Sequence, residues 1–570
     1  MKSKIIYTGL SILLALTYSC SDFLEVENKN SVTDDVLWST EGNADLFLNN
    51  VYFEIVPDAN NHTQHLDQYT DNSDVGTSWM GGYSNIGNAQ ITPENYPKGI
   101  KDIWDWEKAY KHIRRCNVFI KNVTASELSD SYKQQRVSEA RFLRAYVYHI
   151  LWMTYGGVPL LTIPLDNNDA TIPLENPRAT AQETFDFIVA ELGEIAPLLK
   201  DIETGDNAGR ATKAAALTLK GWCELYHASP LRNPTNDIER WKKASATSKS
   251  VMDMNVYSLA ADFEELFFTN NNKESIFARQ YGPGKGNSKE LHFGPPAIGS
   301  SRPGWGNFQP TQQLVDDFCM ANGLPISDPA SGYDPNNPYM GREKRFYETI
   351  IYNGAKWRNE SEITTQVGGN NAIDLGYSSD NTHTGYYARK RLNEKKDLSL
   401  FGGDTSYENY IVFRYGEVLL NFAEAENEVN GPTQEVLNAV NLVRTRNGNM
   451  PKVEDTFASL DKDKMREIIR RERRVELCFE DKRWWDILRW EIADKLPDGS
   501  PGVMNVPLKG MFIEEKGGIL TYTIVDVRNR TFLPKMYLMP LPQAAIDRNS
   551  VIAAQSGGSD NWKNGQNPGY

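Results

Sequence analysis

The segment from residue 140 to 153 places the strongest constraint on the fold. It reads Ala140-Arg-Phe-Leu-Arg-Ala-Tyr-Val-Tyr-His-Ile-Leu-Trp-Met153 and is apolar almost all round when drawn as an α-helix. A helix that is apolar on every side must be surrounded by other elements. Gly156, Gly157 and Pro159 end the pattern. The chain therefore needs many helices around this one, and its 570 residues, 40% of them apolar, allow a large core.

Two helix-rich blocks are predicted, from about residue 100 to 255 and from about 410 to 490. In the first, Thr180–Leu199 carries apolar residues at spacings of three and four, namely Phe185, Ile188, Leu192, Ile195 and Leu199. Ala211–Ala228 is rich in Ala and Leu, which lets helices pack closely. In the second block one helical face is apolar, and Gly431-Pro432 ends that helix. Short turns between such helices suggest stacked helical hairpins.

The middle of the chain is predicted to be rich in loops. Residues 281–310 contain seven glycines, several prolines and scattered aromatic residues, and residues 366–385 are rich in Gly, Asn, Ser and Thr. Glycine and proline favour tight or extended backbone. Long loops in a folded domain tend to carry function, so binding residues are expected there.

The N-terminus is predicted to be a lipoprotein signal, residues 1–19. Two early lysines precede an apolar run, Ile5–Leu16, that is too short to span a bilayer. Small Ser19 directly precedes Cys20, which would carry the lipid. Thr17 stands where such signals usually have Leu, and an ordinary secretory signal with an incidental cysteine is the alternative.

Net charge is −14 at pH 7. An acidic surface repels phosphate backbones, so nucleic acid is excluded as a partner. It also disfavours adhesion to anionic lipid headgroups, so membrane attachment would depend on the lipid of Cys20.

The other cysteines do not form a metal motif. No CxxC pair is present, so a zinc site is not predicted, and free buried thiols and two disulfides both remain open. These cysteines are Cys116, Cys223, Cys319 and Cys478.

Two acidic motifs have structural alternatives to a functional role. Glu472 and Glu476 share a helical face and could be an acid/base couple of a glycosidase, but with alternating arginines around them they are predicted to form ion pairs. Asp71–Gly76 resembles the first half of a calcium loop, yet Gly82 stands where an EF-hand has Glu. A standard EF-hand is excluded, and an irregular calcium site stays open.

A resemblance to a known family begins at the sequence Met465-Arg-Glu-Ile-Ile-Arg-Arg-Glu-Arg-Arg-Val-Glu-Leu-Cys-Phe-Glu-Asp-Lys-Arg-Trp-Trp-Asp-Ile-Leu-Arg-Trp490. It resembles the C-terminal helices typical of the SusD/RagB family. Further stretches match in the same order along nearly the whole mature chain: Glu139–Ala145, Tyr155–Leu160, Arg210–Ala216, Pro310–Asp316, Tyr386–Lys390, Arg414–Ala425, Asn438–Arg446, Met539–Pro542 and Asn567–Tyr570.

The resemblance implies a fold, a location and partners. It implies a mainly α fold in a single domain, residues 20–570, whose tetratricopeptide-like hairpins wrap around an irregular region at about 256–405 and 495–570. Members are outer-membrane lipoproteins that lie over a SusC-like TonB-dependent transporter and capture oligosaccharides, or peptides in the RagB branch. They are not enzymes, and no cofactor is implied.

Sugar chemistry selects the candidate binding residues. A sugar ring stacks its C–H face on Trp or Tyr, and its hydroxyls bond to Asp, Asn and Arg. Loop aromatics beside such residues are therefore the candidates, with Trp79 first, Trp305 second and Arg389 third. On family analogy Trp305 and Phe308 would lie opposite the stretch Asp67–Trp106. The remaining candidates are Asp67, Asp71, Asn72, Tyr83, Asn85, Asn88, Trp106 and Tyr386.

Three classes of function follow. A glycan-binding lipoprotein is predicted, with a peptide-binding lipoprotein of the same fold and a glycoside hydrolase as alternatives. A shallow stacked site predicts micromolar to millimolar affinity. The resemblance is to levan-type fructan binders, although none of these motifs distinguishes fructan from glucan.

Overall fold

The computed structural model describes residues 34–58, 65–76, 83–95, 105–166, 173–298, 304–358, 361–396 and 406–570. The predicted signal segment, Cys20 and Trp79 lie outside these ranges, as does the side chain of Tyr83.

Long helices dominate the described chain and confirm the predicted mainly α class. They are α1 (Glu41–Ile55), α2 (Trp106–Ala125), α3 (Asp130–Tyr155), α4 (Ala181–Ile195), α5 (Lys213–Ala228), α6 (Ile238–Asp253), α7 (Tyr415–Asn430), α8 (Gln434–Arg444), α9 (Lys462–Leu477) and α10 (Arg483–Arg489).

Successive helices pack against each other from α2 to α6, and α7 then packs on α6, α8 and α9. This order gives the predicted stack of helix pairs. Local sequence sets the helix ends. Thr180 and Glu183 form a capping box at the start of α4, and Gly156, with a φ of 77°, ends α3.

Helix α3 is the centre of the stack. From residue 138 to its end nearly every side chain is buried, including Phe142, Tyr148 and Trp152. Its polar residues are paired inside the protein: the Arg144 guanidinium donates to Asn117 Oδ1 at 2.7 Å and to a Glu191 carboxylate oxygen. Burial on all sides follows from the apolar surface predicted for this segment.

Short elements connect the helices. The short helices are Asp34–Leu37, Tyr83–Gly87, Lys289–Phe293, Gln312–Asp317, Lys344–Thr349, Val453–Thr456, Gln543–Asp547 and Ser550–Ala553. The 3-10 turns are Leu66–Tyr69, Ala196–Leu198, Gly205–Asn207, Glu265–Phe267, Pro329–Ser331, Arg446–Gly448 and Pro534–Tyr537.

Five antiparallel strand pairs complete the described fold. They are β1 (Ser73–Val75) with β3 (Phe308–Pro310), β2 (Ser275–Arg279) with β8 (Tyr410–Arg414), β4 (Ile350–Ile351) with β7 (Tyr387–Ala388), β5 (Ala355–Trp357) with β6 (Ser361–Ile363), and β9 (Leu508–Lys516) with β10 (Ile519–Arg528).

The loop-rich middle has an apolar core of its own. Phe308, Phe346, Trp357 and Tyr386 are buried in it. The Tyr386 hydroxyl donates to Gln312 Oε1 at 2.7 Å. Phe308 and Tyr386 were predicted to face a ligand, and the structure corrects this for both. Both rings are enclosed by neighbouring residues and form part of the core of this region.

Candidate functional site

The acidic pair of α9 belongs to the buried framework. Glu472 and Glu476 both lie within 2.8 Å of the Arg345 guanidinium. Glu476 and Glu480 also bind Arg414 at 2.7 Å. All five side chains are buried, which confirms the prediction of ion pairs over an acid/base couple.

Three predicted ligand residues are buried and bonded internally. Asp67 accepts from Asn72 Nδ2 at 2.7 Å and from two backbone amides, and burial followed by the Asp481 charge raises the pKa of Asp67 to about 6. Asp71 binds Arg483 at 2.8 Å and Arg474 at 3.0 Å. Because these side chains have almost no exposed surface, we revise the prediction: they support neighbouring segments instead of contacting a ligand.

A cluster at strand β1 combines charge with an aromatic ring. The buried carboxylate of Asp74 accepts from Arg528 Nε at 3.1 Å and lies 3.3 Å from His383 Nδ1. Burial opposes ionisation of Asp74, but the His383 hydrogen bond and the Arg528 charge outweigh it and lower its pKa. The Tyr377 ring lies 4.1 Å from the His383 ring, and the Arg528 guanidinium stands 4.8 Å from the Tyr377 ring centre.

The loop that carries Tyr377 is held in shape by one carboxylate. Asp374 accepts from the backbone amides of Gly376, Ser378 and Ser379 at 2.7–3.0 Å, and from both serine hydroxyls. The Tyr377 hydroxyl donates to the Val527 carbonyl at 2.7 Å, which ties the loop to β10. Such a loop loses little conformational entropy when a ligand binds.

Gln309 joins this cluster to the segment of Trp305. Its side-chain amide donates to the carbonyls of Gly306 and Asn381, and its Oε1 accepts from the His383 amide at 2.8 Å. Trp305 is half-buried, with its ring 4.6 Å from that of His292.

The predicted loop of Trp79 begins beside the same segment. Strand β1 pairs with β3 so that Val75 lies opposite Phe308, and the Gly76 amide donates to the Asn307 carbonyl. A Cβ at Gly76 would lie 2.4 Å from the Gly306 carbonyl oxygen, so only glycine fits this approach. The described segment that ends at Gly76 therefore lies against residues 306–307, which directly follow Trp305.

We name this region the junction site. It contains half-buried aromatic rings and polar side chains that the buried carboxylate of Asp74 holds in position. Such a surface suits a ligand with an apolar face and a rim of hydroxyls. Its members are Asp74, Trp305, Tyr377, Asn381, His383 and Arg528.

Other predicted residues lie in different surroundings. Arg389 is paired with Glu394 and donates to the Tyr347 carbonyl. Asn85 bonds to Asn95 at 3.3 Å. Asn88 is exposed and bridges to Thr531.

Trp106 belongs to a separate groove of about 540 Å³. Its ring packs against Tyr110 at 4.9 Å and Tyr155 at 5.4 Å. Of the predicted stretch Asp67–Trp106, Asp74 thus lies in the junction site and Trp106 in this groove.

The described ranges contain no group of three His, Cys, Asp or Glu side chains placed to hold a metal ion. They also contain no helix long and apolar enough to cross a membrane. Cys116, Cys223, Cys319 and Cys478 are free, buried thiols, which answers the open question of disulfides.

Comparison with known proteins identifies the family. The protein-family model described as "SusD family" matches residues 273–570. A second family model, described as "Starch-binding associating with outer membrane", matches residues 22–220. The first match covers more than half of the chain.

The chain belongs to the SusD family. The SusD-like protein P38 of Formosa agariphila is 24% identical over 84% of this chain and 89% of its own length. A crystal structure of a SusD-like protein from Bacteroides fragilis is 28% identical with a TM-score of 0.77, covering 94% of this chain and 99% of that one. A SusD-like carbohydrate binding protein from the same species is 27% identical with a TM-score of 0.74, covering 90% and 99%.

Sequence reasoning missed Tyr377, His383 and Arg528 as members of the junction site in this SusD-family chain. A weak signal was present for Tyr377, because it lies in the Gly-, Asn- and Ser-rich loop where function was expected. Arg528 carried no such signal in the sequence, because its contact with Asp74 joins residues that are far apart along the chain.

Proposed function

We propose that this protein captures oligosaccharides at the cell surface and delivers them to a SusC-like TonB-dependent transporter. The observation that carries the proposal is the junction site, where Tyr377 stands beside Arg528 and the buried carboxylate of Asp74, and where Gln309 links His383 to the segment of Trp305. Support for sugar as the ligand comes from the similar SusD-like carbohydrate binding protein of Bacteroides fragilis.

The binding residues are proposed in two groups. Trp305 and Tyr377 offer ring surfaces for the C–H face of a sugar. Arg528 and Asn381 offer donors and acceptors for its hydroxyls, with Asp74 and His383 holding Arg528 and Tyr377 in place. Trp79 remains a candidate from the sequence, because its loop starts at Gly76 beside Trp305, and Tyr83 remains one because its short helix follows that loop.

Attachment is proposed through a lipid on Cys20 after removal of residues 1–19. Display in the outer membrane next to a transporter raises the effective concentration of captured ligand, which compensates for modest affinity. The protein is proposed to release its ligand unchanged, because the acidic pair Glu472 and Glu476 is buried in ion pairs.

Fructan of the levan type is the first ligand to test. Soluble protein starting at Ser21 is titrated calorimetrically against β2,6- and β2,1-fructan, starch and xylan oligosaccharides, and each mixture is then checked for released sugar. Saturable heat with intact ligand is expected for one glycan class.

Two substitutions and one control locate the site. Trp305→Ala and Tyr377→Ala should each weaken binding about fivefold or more, since a stacked ring contributes about 1 kcal/mol or more. Tyr407→Ala removes an exposed aromatic ring outside the junction site and should leave affinity unchanged. Loss of affinity in all three variants would contradict the placement, and released sugar would contradict simple capture.

A peptide ligand is the second candidate, as in the RagB branch. Its binding would not require ring platforms. Saturable heat with peptides and none with the glycan panel would replace the sugar proposal.

A further inference from the structure

The groove beside Trp106 has a chemistry unlike that of the junction site. Helix α2 forms one wall, residues 159–165 and 174–176 form the second, and the C-terminal residues 542–552 form the third. Its volume of about 540 Å³ falls within the range of about 300–1,000 Å³ typical of small-molecule sites.

The lining of the groove is mainly aliphatic. Ile113, Leu161 and Leu165 lie among its walls, and Ile163 and Leu174 are 53% and 51% exposed at the rim. Large apolar side chains with half their surface in water indicate a site that another apolar body covers.

The uncharged polar side chains of the groove are already bonded within the protein. The Tyr110 hydroxyl donates to the Pro159 carbonyl, and the Asn117 amide donates to the carbonyls of Leu161 and Ile163. The Asn549 amide donates to the Asn176 carbonyl. A bound peptide would bury its own backbone amides here without partners, which costs free energy. A hydrocarbon chain has no such groups.

Two arginines supply charge at the rim. Arg114 and Arg548 line the groove and are exposed, and neither has an ion-pair partner in the described part of the chain. The other charges of the lining, Glu107 and Lys111, pair with each other at 3.1 Å. The groove is therefore locally positive on a chain whose net charge is −14.

We propose that this groove binds a free amphiphile with a hydrocarbon chain and a carboxylate head, of the size of a medium-chain fatty acid. The chain lies on the aliphatic walls, with the Trp106 and Tyr110 rings at one end. The carboxylate meets Arg114 and Arg548, whose planar guanidinium groups match carboxylate geometry. The site is separate from the junction site and does not depend on the proposed capture of glycans.

The test titrates the chain from Ser21 with dodecanoate below its critical micelle concentration and measures binding by isothermal titration calorimetry. Saturable binding of one dodecanoate per chain is expected. Acetate has the charge without the chain, and pentaethylene glycol dodecyl ether has the chain without the charge and carries no sugar; both should bind at least tenfold more weakly.

Variants separate the two parts of the site. The double substitution Arg114→Gln with Arg548→Gln should weaken binding of dodecanoate at least tenfold and leave binding of pentaethylene glycol dodecyl ether unchanged. Leu174→Glu should weaken both, and because Leu174 is half-exposed this variant should keep the wild-type melting temperature. Lys356→Gln removes an exposed positive charge from the β5–β6 hairpin and should change neither ligand.

Three results would overturn the proposal. They are the absence of saturable dodecanoate binding, equal binding of pentaethylene glycol dodecyl ether, and dodecanoate affinity that both arginine substitutions leave unaltered. Binding of an acidic leucine-rich peptide in place of dodecanoate would assign the groove to a protein partner instead.

Discussion

Two charge clusters in this molecule use similar residues in opposite ways. Around Arg414, the carboxylates of Glu274, Glu476 and Glu480 lie at 2.7–2.8 Å, and every member is buried. At the junction site, Asp74 is equally buried, but the side chain of its partner Arg528 is 26% exposed.

The difference shows how burial separates framework from site. The Arg414 cluster ties β2 and β8 to the end of α9, and its donors and acceptors are directed at one another. The junction site has one buried carboxylate, Asp74, which fixes a partly exposed arginine next to the half-buried ring of Tyr377. A ligand gains from such a surface because it is already ordered and still reachable.

The largest loss of stability is expected when the buried arginine is removed. Arg414→Met would leave three buried carboxylates short of a cation, so we expect the free energy of unfolding to fall by about 3–5 kcal/mol. Chemical denaturation measures it. As control, Lys464→Met breaks an exposed pair with Glu467 and should cost less than about 1 kcal/mol. Similar losses in both variants would refute the distinction.

Acid should weaken the buried framework. Burial opposes ionisation of Glu476, but Arg446, Arg414 and Arg345 outweigh it and lower its pKa to about 2. A carboxylate whose folded pKa lies below its unfolded value stabilises the fold above the unfolded pKa, near 4.5, and loses this contribution as pH falls toward 2. Unfolding free energy should therefore decline from pH 5 to pH 2.5, and Glu476→Gln should reduce that slope. A flat profile in the wild type would contradict this.

A smaller effect on stability, with a large effect on binding, is expected at Gly76. A methyl group there would meet the Gly306 carbonyl oxygen at 2.4 Å, so Gly76→Ala must push β1 and β3 apart at about 1–3 kcal/mol. Glycan affinity should fall because Trp305 and the start of the Trp79 loop move. Gly42→Ala, in α1 with open space around it, is the control: it should not lower stability, because Ala favours a helix, and should keep the affinity.

The smallest stability effect is expected at Arg389, for which Arg528 is the comparison. The two side chains are 25% and 26% exposed, but the Glu394 partner of Arg389 is 24% exposed whereas the Asp74 partner of Arg528 is buried. Arg389→Ala should therefore cost about 1 kcal/mol or less, and Arg528→Ala, which leaves Asp74 with His383 alone, about 1–3 kcal/mol. Only Arg528→Ala should weaken glycan binding, measured by calorimetry at equal protein concentration. An equal loss with Arg389→Ala would return that residue to the binding site, as the sequence predicted.

Helices with a strong local period were predictable, whereas elements with weaker signals were not. The apolar run of α3 and the spacing in α4 were read correctly because they depend on neighbours in sequence. Helix α1 was missed, although Ala44, Leu48, Val51 and Ile55 repeat at three and four positions. The β9–β10 hairpin was missed despite Gly517-Gly518 between two strand-like runs.

The candidate site was harder because it depends on distant contacts. Tyr386 looks like Tyr377 in sequence, a tyrosine in a glycine-rich loop, yet Tyr386 is buried and Tyr377 is half-exposed. The two tyrosines differ in burial because Tyr339 and Gln312, from other segments of the chain, enclose Tyr386. Local sequence carries no record of such enclosure.

The four buried thiols have a practical consequence for studying the molecule. Burial raises the pKa of Cys116, Cys319 and Cys478 to about 12, and raises that of Cys223 as well. Thiolates react with maleimides and thiols hardly do, so a chain that starts at Ser21 should be silent toward such reagents at neutral pH. Ser379→Cys, on the exposed loop beside Tyr377, would then be its single labelling position. A fluorophore there would report directly on what enters the junction site.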